Sequence, residues 1–269
     1  MRPTLRDIDI VFNAAALKQV PTCEYFPYEA VRTNIEGPEN IVRAIQEHSL
    51  RVEAVVGVST DKACKPVNAM GMTKALQERV FIQANIRYPK TRFVCVRYGN
   101  VLASRGSVIP LFHEQIRHGG PLTITTEKMT RFLLSLNDAV DVIFAAVQEA
   151  SPGETYIPRA PSARVTHIAE VLIDGRPIER RTIGIRPGEK VHEILVSEEE
   201  ASRTVRRGSY YAILPMLPEL RAEKNVQQTL AREYSSADDV ISLEETAGLL
   251  RRQRLMIDDL SLDLSEVLR

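Results

Sequence analysis

The chain has 269 residues, and its 35 Lys and Arg residues balance its 35 Asp and Glu residues, so the formal net charge at pH 7 is zero. This balance gives no general attraction for nucleic acid or for an anionic membrane surface. The longest apolar runs, 54–58 and 142–147, are far shorter than a bilayer span, and no charged start followed by an apolar stretch indicates a signal peptide.

The cysteines and histidines show no spacing that is typical of a metal site. The three cysteines, Cys23, Cys64 and Cys95, are odd in number, and this favours reduced, partly buried thiols over disulfides. None of the five histidines forms an H-x-x-x-H pair. We therefore expect a cytoplasmic protein without a bound metal.

Predicted strands and helices alternate along the first part of the chain, which favours βαβ units, a mostly parallel sheet and the α/β fold class. The predicted strands are Asp9–Ala14, Ala54–Ser59, Arg92–Tyr98, Leu122–Thr125, Thr155–Ile157 and Thr182–Ile185. The predicted helices are Tyr28–Leu50, Ala69–Asn85, Val108–His118, Asn137–Glu149 and a segment around His167–Leu172. Gly37-Pro38 should kink the first helix, because proline has no backbone donor.

The composition changes near Glu198. From there the chain is rich in charges, and its final segment, Leu243–Leu268, has a helical pattern. We therefore predict a helical C-terminal extension over residues 198–269.

A glycine-rich phosphate loop is missing from the sequence. Dinucleotide-binding folds open with a strand, a glycine-rich turn and a helix whose N-terminus holds the pyrophosphate. The 13 glycines of this chain form neither G-x-G-x-x-G nor G-x-x-G-x-x-G.

The segment Ser59-Thr-Asp-Lys62, followed by Met70-Gly-Met-Thr-Lys74, carries the strongest chemical signal. A nicotinamide enzyme of the short-chain dehydrogenase/reductase type would read Tyr-x-x-x-Lys at the second site. Met70 stands at the tyrosine position, and a thioether has no proton to exchange. Acid–base work must therefore fall on Asp61, Lys62 or Lys74.

Further segments could hold phosphate and sugar groups. The small residues after Asn13 would let a ligand approach the backbone, although a simple tight turn explains them equally well. The run Arg97–Pro110 offers Asn, Ser and Arg donors ahead of a helix N-terminus, which suits a diphosphate. Arg131 and the run 186–190 add cations and a carboxylate, suited to phosphate oxygens and ribose hydroxyls.

Taken together, these segments resemble the inverting UDP-N-acetylglucosamine 4,6-dehydratases, extended short-chain dehydrogenase/reductases of polysaccharide and capsule biosynthesis. The matching segments run in family order: Ala14–Pro21, Thr33–Gly37, Ser59–Ala63, Asn68–Lys74, Arg97–Pro110, Met129–Phe132 and Ile185–Glu193. One branch of that family also carries Met at the position of Met70.

The resemblance implies a reaction that inverts C5 of UDP-N-acetylglucosamine and uses NAD or NADP. A 4-keto intermediate forms, Lys62 removes the C5 proton, and Asp61 helps the C6 hydroxyl leave as water. Thr60 would orient the C4 hydroxyl, and Lys74 would hold the nicotinamide ribose. Water, Lys74 or Lys62 could accept the C4 hydroxyl proton.

The resemblance also implies the binding residues. Those for the cofactor are Asn13, Ala14, Ala15, Thr33, Ser59 and Lys74. Those for the UDP-sugar are Lys18, Asn100, Ser107, Arg131, Arg186 and Glu189. Residues 1–197 would then form a partial NAD(P)-binding Rossmann-type domain with interleaved UDP-sugar segments. Family members commonly pair through helices such as Tyr28–Leu50 and Ala69–Asn85, so a homo-oligomer is implied.

The family places a glycine-rich βαβ half ahead of the Asn13 segment, and we expect this chain to be truncated there. The expected fold is thus a Rossmann-type parallel sheet that lacks its first half, with a small C-terminal substrate-binding region. Weak cofactor binding and an open apolar edge at Asp9–Ala14 should follow. Two alternatives to the dehydratase are a non-catalytic UDP-sugar-binding remnant and a UDP-hexose 4-epimerase, which normally relies on the tyrosine that Met70 replaces.

Overall fold

The computed structural model describes residues 5–104, 106–221 and 228–259. Its strands are β1 (Ile10–Asn13), β2 (Ala54–Thr60), β3 (Arg92–Tyr98), β4 (Leu122–Ile124), β5 (Thr130–Phe132), β6 (Thr155–Pro158), β7 (Ser162–Arg164), β8 (Arg180–Thr182), β9 (Ile194–Val196), β10 (Thr204–Arg207), β11 (Tyr210–Ile213) and β12 (Tyr234–Ser235). Its α-helices are α1 (Val20–Tyr25), α2 (Pro27–Val31), α3 (Gly37–Glu47), α4 (Ala69–Arg87), α5 (Val108–Arg117), α6 (Leu136–Glu149), α7 (Val165–Ile173), α8 (Glu198–Ala201) and α9 (Leu243–Arg252).

The chain folds into two compact units, each built from three stretches of sequence. Unit 1 comprises residues 1–99, 137–159 and 194–235, and unit 2 comprises residues 100–136, 160–193 and 236–269. The composition change near Glu198 therefore lies inside the third stretch of unit 1.

Unit 1 is organised around a six-stranded sheet with the order β1-β2-β3-β6-β11-β10. The pairings β1–β2, β2–β3 and β3–β6 are parallel, whereas β11 pairs antiparallel with both β6 and β10. The α/β fold class with a mostly parallel sheet is confirmed.

Helices cover both faces of this sheet. On one face, Val55 of β2 packs in a cluster with Ile45 of α3 and Phe81 of α4. On the other face, Val56 packs in a cluster with Val142 of α6. Strand β2 is thus buried on both sides, which explains its nearly continuous apolar sequence.

The helix predicted over Tyr28–Leu50 is interrupted where the sequence indicates. A π-helical turn, Arg32–Glu36, joins α2 to α3, and the N–H of Gly37 donates to the carbonyl of Arg32. Pro38 then occupies the start of α3, where its missing N–H costs no helical hydrogen bond. The predicted kink is therefore a π-turn, and Thr33 and Asn34 lie within it.

The prediction of a helical segment from Glu198 onward is wrong for much of its length. Only the four residues of α8 are helical before β10 and β11 form a hairpin that completes the central sheet. The β-branched and aromatic residues of these strands pack on the sheet. Arg206 is exposed, so the charged residues that suggested a helix lie on the solvent-facing side of a strand. Helix α9 ends at Arg252, two residues before Arg254 takes a φ of 53°, and positions 260–268 of the predicted helical segment lie outside the described residues.

The described residues of unit 2 form two small sheets and the helices α5, α7 and α9. Strand β4 pairs parallel with β8, and β5 pairs antiparallel with β7. Helices α5, α7 and α9 share a core that includes Phe112, Ile168 and Leu250. The strand predicted at Thr182–Ile185 ends at Thr182 instead, because Gly184 has a φ of 85° that extended strands do not adopt.

All three cysteines are buried free thiols, as predicted. Within the described ranges, no helix combines the length and the apolar character needed to cross a bilayer. The same ranges contain no group of three or more His, Cys, Asp or Glu side chains arranged to hold a metal ion.

Candidate active site

The turn that follows β2 carries three of the predicted catalytic residues. Thr60 ends β2 and caps a 3-10 turn over Asp61–Ala63, with its Oγ1 accepting from the N–H of Lys62 at 3.4 Å. Because β1, β2 and β3 run parallel, their carboxyl ends share one edge of the sheet. This is the edge at which open α/β sheets bind their ligands.

Asp61 connects the side chains of this turn. Its Oδ1 accepts a hydrogen bond from Thr60 Oγ1 at 2.9 Å and one from Lys62 Nζ at 3.0 Å. The residue is 0% exposed, and its Oδ2 has no hydrogen-bond partner among the described residues. Because a buried polar atom without a partner is costly, this oxygen marks the turn as a candidate functional site.

Helix α4 passes very close to the turn. The side chain of Asn68 caps the helix by accepting from the N–H of Gly71 at 2.8 Å. A Cβ atom at Gly71 would lie 2.2 Å from the carbonyl oxygen of Lys62, so only glycine allows this approach. Met70 is buried in a cluster with Cys23 and therefore contributes packing but no ionisable group.

Lys74 lies one helical turn after Met70 and reaches back to β2. Its Nζ donates to the carbonyl of Val58 and to Oε1 of Gln77, both at 2.6 Å. Burial lowers the pKa of Lys74 to about 8. The amine is therefore poised to lose its proton within about one pH unit of neutrality.

Replacing Lys74 with methionine should stabilise the protein near neutral pH. The folded-state pKa of about 8 lies below the ordinary value of 10.5, so the unfolded chain binds more protons between these values and the wild type gains stability as pH rises. Below pH 8 the difference amounts to about 3 kcal/mol, before the lost hydrogen bonds are subtracted. Urea unfolding at a series of pH values should show the advantage of Lys74→Met shrinking as pH approaches 10.5.

The exposed Lys90 provides the control for this experiment. Lys90→Met removes the same charge without relieving burial, so its effect on the free energy of unfolding should be small and independent of pH in this window. A stability advantage of Lys74→Met that does not change with pH would contradict the assigned cause.

Three of the six residues predicted for the cofactor, Asn13, Ala14 and Ala15, lie at the carboxyl end of β1. Asn13 is buried, and its Nδ2 has no hydrogen-bond partner within the described part of the chain. Ala14 and Ala15 follow it and are exposed, and Thr33 is exposed in the π-turn. An unpaired amide beside small exposed residues leaves room for a polar ligand to approach this end of the sheet.

Asn34 holds the loop after β1 in place, a role not predicted from the sequence. Its Oδ1 accepts from the N–H of Leu17 at 2.8 Å, and its Nδ2 donates to the carbonyl of Leu17 and to Thr73 Oγ1, both at 3.0 Å. The π-turn therefore connects the loop that carries Ala14 and Lys18 to helix α4. An asparagine within a predicted helix was the available signal, since this residue is a poor helix former.

Behind the turn, the predicted cofactor residue Ser59 is linked through Glu78 to Arg97 and Glu200, an association that the sequence did not predict. Ser59 Oγ donates to Glu78 at 2.6 Å, and Arg97 bridges Glu78 and Glu200 with contacts of 2.7 Å to each. An arginine inside the apolar strand β3 and a glutamate on the buried side of α4 were the signals for this group. The sequence alone does not show which residues Arg97 and Glu78 contact.

In unit 2, backbone carbonyls hold the guanidinium of Arg131. It donates to the carbonyls of Thr130, Val191 and Lys190 at 2.7, 3.2 and 3.1 Å. Its Nε also lies 3.9 Å from Oε1 of Glu193. The arginine predicted to contact phosphate is thus fixed in orientation by its surroundings.

Arg186 and Glu189 lie close together in the same unit. Their side chains are 3.9 Å apart, and Thr125 Oγ1 donates to Oε2 of Glu189 at 3.3 Å. Arg186 is exposed. The predicted cation and carboxylate therefore form a loose pair from which the cation extends into solvent.

Asn100 and Ser107 each retain an unpaired polar atom. Asn100 Oδ1 and Ser107 Oγ are buried without a hydrogen-bond partner among the described residues. Ser107 occupies the N-cap of α5, yet its side chain makes no capping bond. Asn100 Oδ1 could accept a hydrogen bond from a ligand, and Ser107 Oγ could donate or accept one.

The sequence matches known proteins over most of its length. Residues 1–215 match the family described as "Polysaccharide biosynthesis protein". The chain is 48% identical to a protein named UDP-glucose 4-epimerase from Rickettsia bellii, across 91% of this chain and 74% of that protein. It is 43% identical to the protein named "Uncharacterized membrane protein MJ1061" from Methanocaldococcus jannaschii, across 80% of this chain and 67% of that protein. For two relatives from Rickettsia typhi and Rickettsia prowazekii, also named UDP-glucose 4-epimerase, the chain spans 62% of their length.

Solved structures share the fold. The protein called Pen from Bacillus thuringiensis is 35% identical, with a TM-score of 0.86 over 95% of this chain and 78% of that chain. DesIV, a dTDP-glucose 4,6-dehydratase from Streptomyces venezuelae solved with NAD bound, is 20% identical, with a TM-score of 0.63 over 71% of this chain and 65% of that chain. At the lower identity the similarity concerns the fold alone.

The predicted resemblance to polysaccharide biosynthesis enzymes is therefore confirmed at the level of the family. The narrower assignment to UDP-N-acetylglucosamine 4,6-dehydratases stays a prediction, and the name carried by the Rickettsia proteins corresponds to the epimerase alternative. On the match over residues 1–215 and the identities of 43% and 48% along most of its length, the chain belongs to the polysaccharide biosynthesis protein family.

Proposed function

We propose that the chain is a nucleotide-sugar 4,6-dehydratase that acts on UDP-N-acetylglucosamine with inversion at C5 and uses NAD or NADP. The observation that carries this proposal is the fully buried Asp61, which hydrogen-bonds both Thr60 and Lys62 in one turn. Removal of water from a sugar needs one group that takes a proton from carbon and another that gives a proton to the leaving hydroxyl. The turn supplies a carboxyl and an amine for these two tasks.

The residues at the ends of β1 and β2 fit the nicotinamide half of the cofactor. The unpaired buried Nδ2 of Asn13 and the small residues Ala14 and Ala15 suit a close approach. Lys74 uses two hydrogen bonds within the protein, so its ammonium retains a third donor for a ribose hydroxyl. Thr33 and Ser59 complete the assigned set. When bound, the cofactor supplies the acceptor for the hydride that leaves C4 and returns it at C6.

Thr60 and Asp61 provide the acceptor for the C4 hydroxyl proton that Met70 cannot provide. The proton of the C4 hydroxyl needs an acceptor, and Met70 offers none. Thr60 already donates its own proton to Asp61 Oδ1 at 2.9 Å. A proton received by Thr60 from C4 can therefore pass to Asp61, which then protonates the C6 hydroxyl as it leaves.

The second proton transfer of the proposed reaction, removal of the C5 proton, is assigned to Lys62. Its neutral amine takes the C5 proton, and the C5–C6 alkene forms as water departs. Reprotonation of C5 from the opposite face, by a group other than Lys62, then inverts that centre. The C4 hydroxyl proton thus ends in the water, and the C5 proton is replaced. The net change is therefore the loss of one water molecule from the substrate.

The UDP part of the substrate is assigned to residues of unit 2. Arg131 is fixed by three carbonyls, and the exposed Arg186 beside Glu189 suits phosphate and ribose groups. The unpaired atoms of Asn100 and Ser107 add two polar contacts. We assign Lys18, exposed in unit 1, to the sugar nucleotide as well.

A UDP-hexose 4-epimerase is the second candidate, because several relatives carry the name UDP-glucose 4-epimerase. Epimerisation needs hydride transfer and proton exchange at C4 only. It leaves Lys62 without a chemical task, and its usual tyrosine is replaced by Met70. The third hypothesis is a UDP-sugar-binding protein without activity. Such a protein would use the residues of unit 2 alone.

Mass spectrometry in deuterated water separates the three functions. The purified chain is incubated with UDP-N-acetylglucosamine and NAD+, and separately with UDP-glucose. Loss of one water with deuterium gained at C5 supports the dehydratase. A product of unchanged mass with inverted C4, identified by NMR, supports the epimerase. Unchanged sugar that binds in calorimetry supports the non-catalytic reading.

We also propose that the protein acts as a homo-oligomer in the cytoplasm, where thiols remain reduced. Helices α1 and α2 contact α4, and these helices expose the apolar side chains of Tyr25, Tyr28 and Leu76, which are 82%, 66% and 52% exposed. Exposed apolar surface of this kind is typical of interfaces between subunits. Leu76→Glu should lower the mass measured by light scattering, whereas Met216→Glu, at a residue 49% exposed outside these helices, should leave it unchanged.

A further inference from the structure

Arg97 makes every hydrogen bond that its side chain can donate. Its Nε and Nη2 donate to the two oxygens of Glu78 at 3.0 and 2.7 Å. Its Nη1 and Nη2 donate to the two oxygens of Glu200 at 2.7 and 2.9 Å, and Nη1 also donates to the carbonyl of Leu195 at 2.9 Å. All five N–H groups of the guanidinium are therefore paired, and its orientation is fully determined.

The charges of this cluster are buried and nearly balanced. Arg97 and Glu78 are 2% and 3% exposed, and Arg203 lies 3.7 Å from Glu200 as a second cation. Burial alone raises the pKa of Glu200, but the charge and hydrogen bonds of Arg97 outweigh it and hold the pKa at about 2. Glu200 is therefore ionised beside Arg97, and loss of one of these two partners would leave a buried charge without its counter-charge.

The network contacts both ends of the turn that carries Thr60, Asp61 and Lys62. On one side, Ser59 Oγ donates to Glu78 Oε1 at 2.6 Å. On the other, Cys64 Sγ lies 3.7 Å from Glu200 Oε2 and donates to it. The network thus contacts two residues that flank Thr60, Asp61 and Lys62.

We propose that the buried Glu78–Arg97–Glu200 network is a positioning device that sets the geometry of the Thr60–Asp61–Lys62 turn. The proposal rests on the proposed function for its catalytic consequence, whereas its structural part stands on the contacts of Ser59 and Cys64. Because proton transfer depends on sub-ångström placement, these residues should control turnover without touching substrate.

Glu200→Gln tests the network, and Glu154→Gln is its matched control. Glu154 is also buried, accepts from Arg207 at 3.1 Å and from the N–H of Ser151 at 2.9 Å, and these contacts do not involve residues 59–64. Both variants remove one buried carboxylate charge from unit 1. Urea unfolding of each variant gives its loss of global stability, against which local effects are judged.

Hydrogen exchange measured by mass spectrometry gives the readout that does not depend on activity. In Glu200→Gln, the peptide covering residues 60–64 should exchange about tenfold faster than in the wild type, at denaturant concentrations chosen to equalise global stability. The same peptide in Glu154→Gln should exchange at the wild-type rate. Equal exchange in the two variants would overturn the proposal. Should Glu200→Gln fail to fold, Ser59→Ala removes the contact with Glu78 and should give the same local acceleration of exchange, which is measured without cofactor.

Steady-state kinetics test the catalytic consequence. Glu200→Gln should lower kcat about a hundredfold and change KM less than about twofold, because the turn moves while the sugar-nucleotide contacts remain. Glu154→Gln should leave both constants unchanged. If the wild type shows no dehydration, the proposed function fails, and the exchange experiment alone decides whether the network positions the turn. Faster exchange with an unchanged kcat would overturn the catalytic role and retain the structural one.

Discussion

Gly71→Ala is expected to displace the Thr60–Asp61–Lys62 turn and, on the proposed function, to lower turnover about a hundredfold. The added Cβ would lie 2.2 Å from the carbonyl oxygen of Lys62 and 3.2 Å from Cβ of Pro66. Neither neighbour is the flexible end of a long side chain, so the turn or α4 must shift. Crowding of this kind costs about 1–3 kcal/mol of stability, offset in part by the better helix propensity of alanine.

Gly248→Ala provides the control, because it makes the same change in another helix. There the nearest atom to the new Cβ is Nη1 of Arg252 at 3.4 Å, the mobile end of a long side chain. This variant should gain about 0.5–1 kcal/mol in the free energy of unfolding and keep full activity. Urea unfolding and steady-state turnover of both variants decide the point. A Gly71→Ala protein with wild-type turnover would show that the close contact between α4 and Lys62 has no catalytic importance.

Asp61→Asn is expected to lower dehydration about a thousandfold while UDP-sugar binding is retained. Asparagine keeps the shape of the side chain and can still accept from Thr60 Oγ1, which now lies 2.9 Å from Oδ1. It cannot take up the proton released at C4, so the reaction should stop before the 4-keto sugar forms. Calorimetry with the UDP-sugar measures binding, and mass spectrometry after reduction with borodeuteride detects any 4-keto product.

Lys62→Met should stop the same reaction one step later. The path from C4 through Thr60 to Asp61 remains, so the 4-keto sugar should form and be trapped with deuterium at C4. No deuterium from solvent should enter C5, because the amine that removes that proton is gone. Trapped 4-keto sugar in Asp61→Asn, at the level seen in Lys62→Met, would contradict the proton path through Thr60.

The central part of the fold could be predicted from the sequence because its signals are local. The apolar run of β2 reflects burial on both faces, and Gly37-Pro38 marks the break that the π-turn fills. The hairpin of β10 and β11 was missed because Arg206 and its charged neighbours resemble a solvated helix face. Strand β11 is stabilised by pairing with β6, a partner more than 50 residues away in sequence, and β10 then pairs with β11. The local pattern carries no information about such a distant partner.

The candidate site divides in the same way. Thr60, Asp61 and Lys62 are adjacent in sequence, so a prediction of their proximity required no tertiary information. Asn34 and Thr73 are 39 residues apart, and Arg97 and Glu200 are 103 residues apart, yet both pairs are hydrogen-bonded. In the sequence, none of these polar residues differs from others of its type. Its structural role follows from the distant residue to which it is hydrogen-bonded.

The amino-acid sequence by itself determined the chemistry that is available: a carboxyl and an amine after a buried strand, and a methionine where a proton-exchanging tyrosine could have stood. Side-chain type fixes which groups can carry a proton, and this needs no knowledge of the fold. The tertiary structure decided which of these groups are buried, which atoms remain unpaired and what holds the turn in place. Burial in unit 1 lowers the pKa of Lys74 and leaves Asp61 Oδ2 without a partner among the described residues, while the charge and hydrogen bonds of Arg97 outweigh burial and hold the pKa of Glu200 at about 2. These properties arise from desolvation and from contacts between distant segments, and both exist only once the chain has folded.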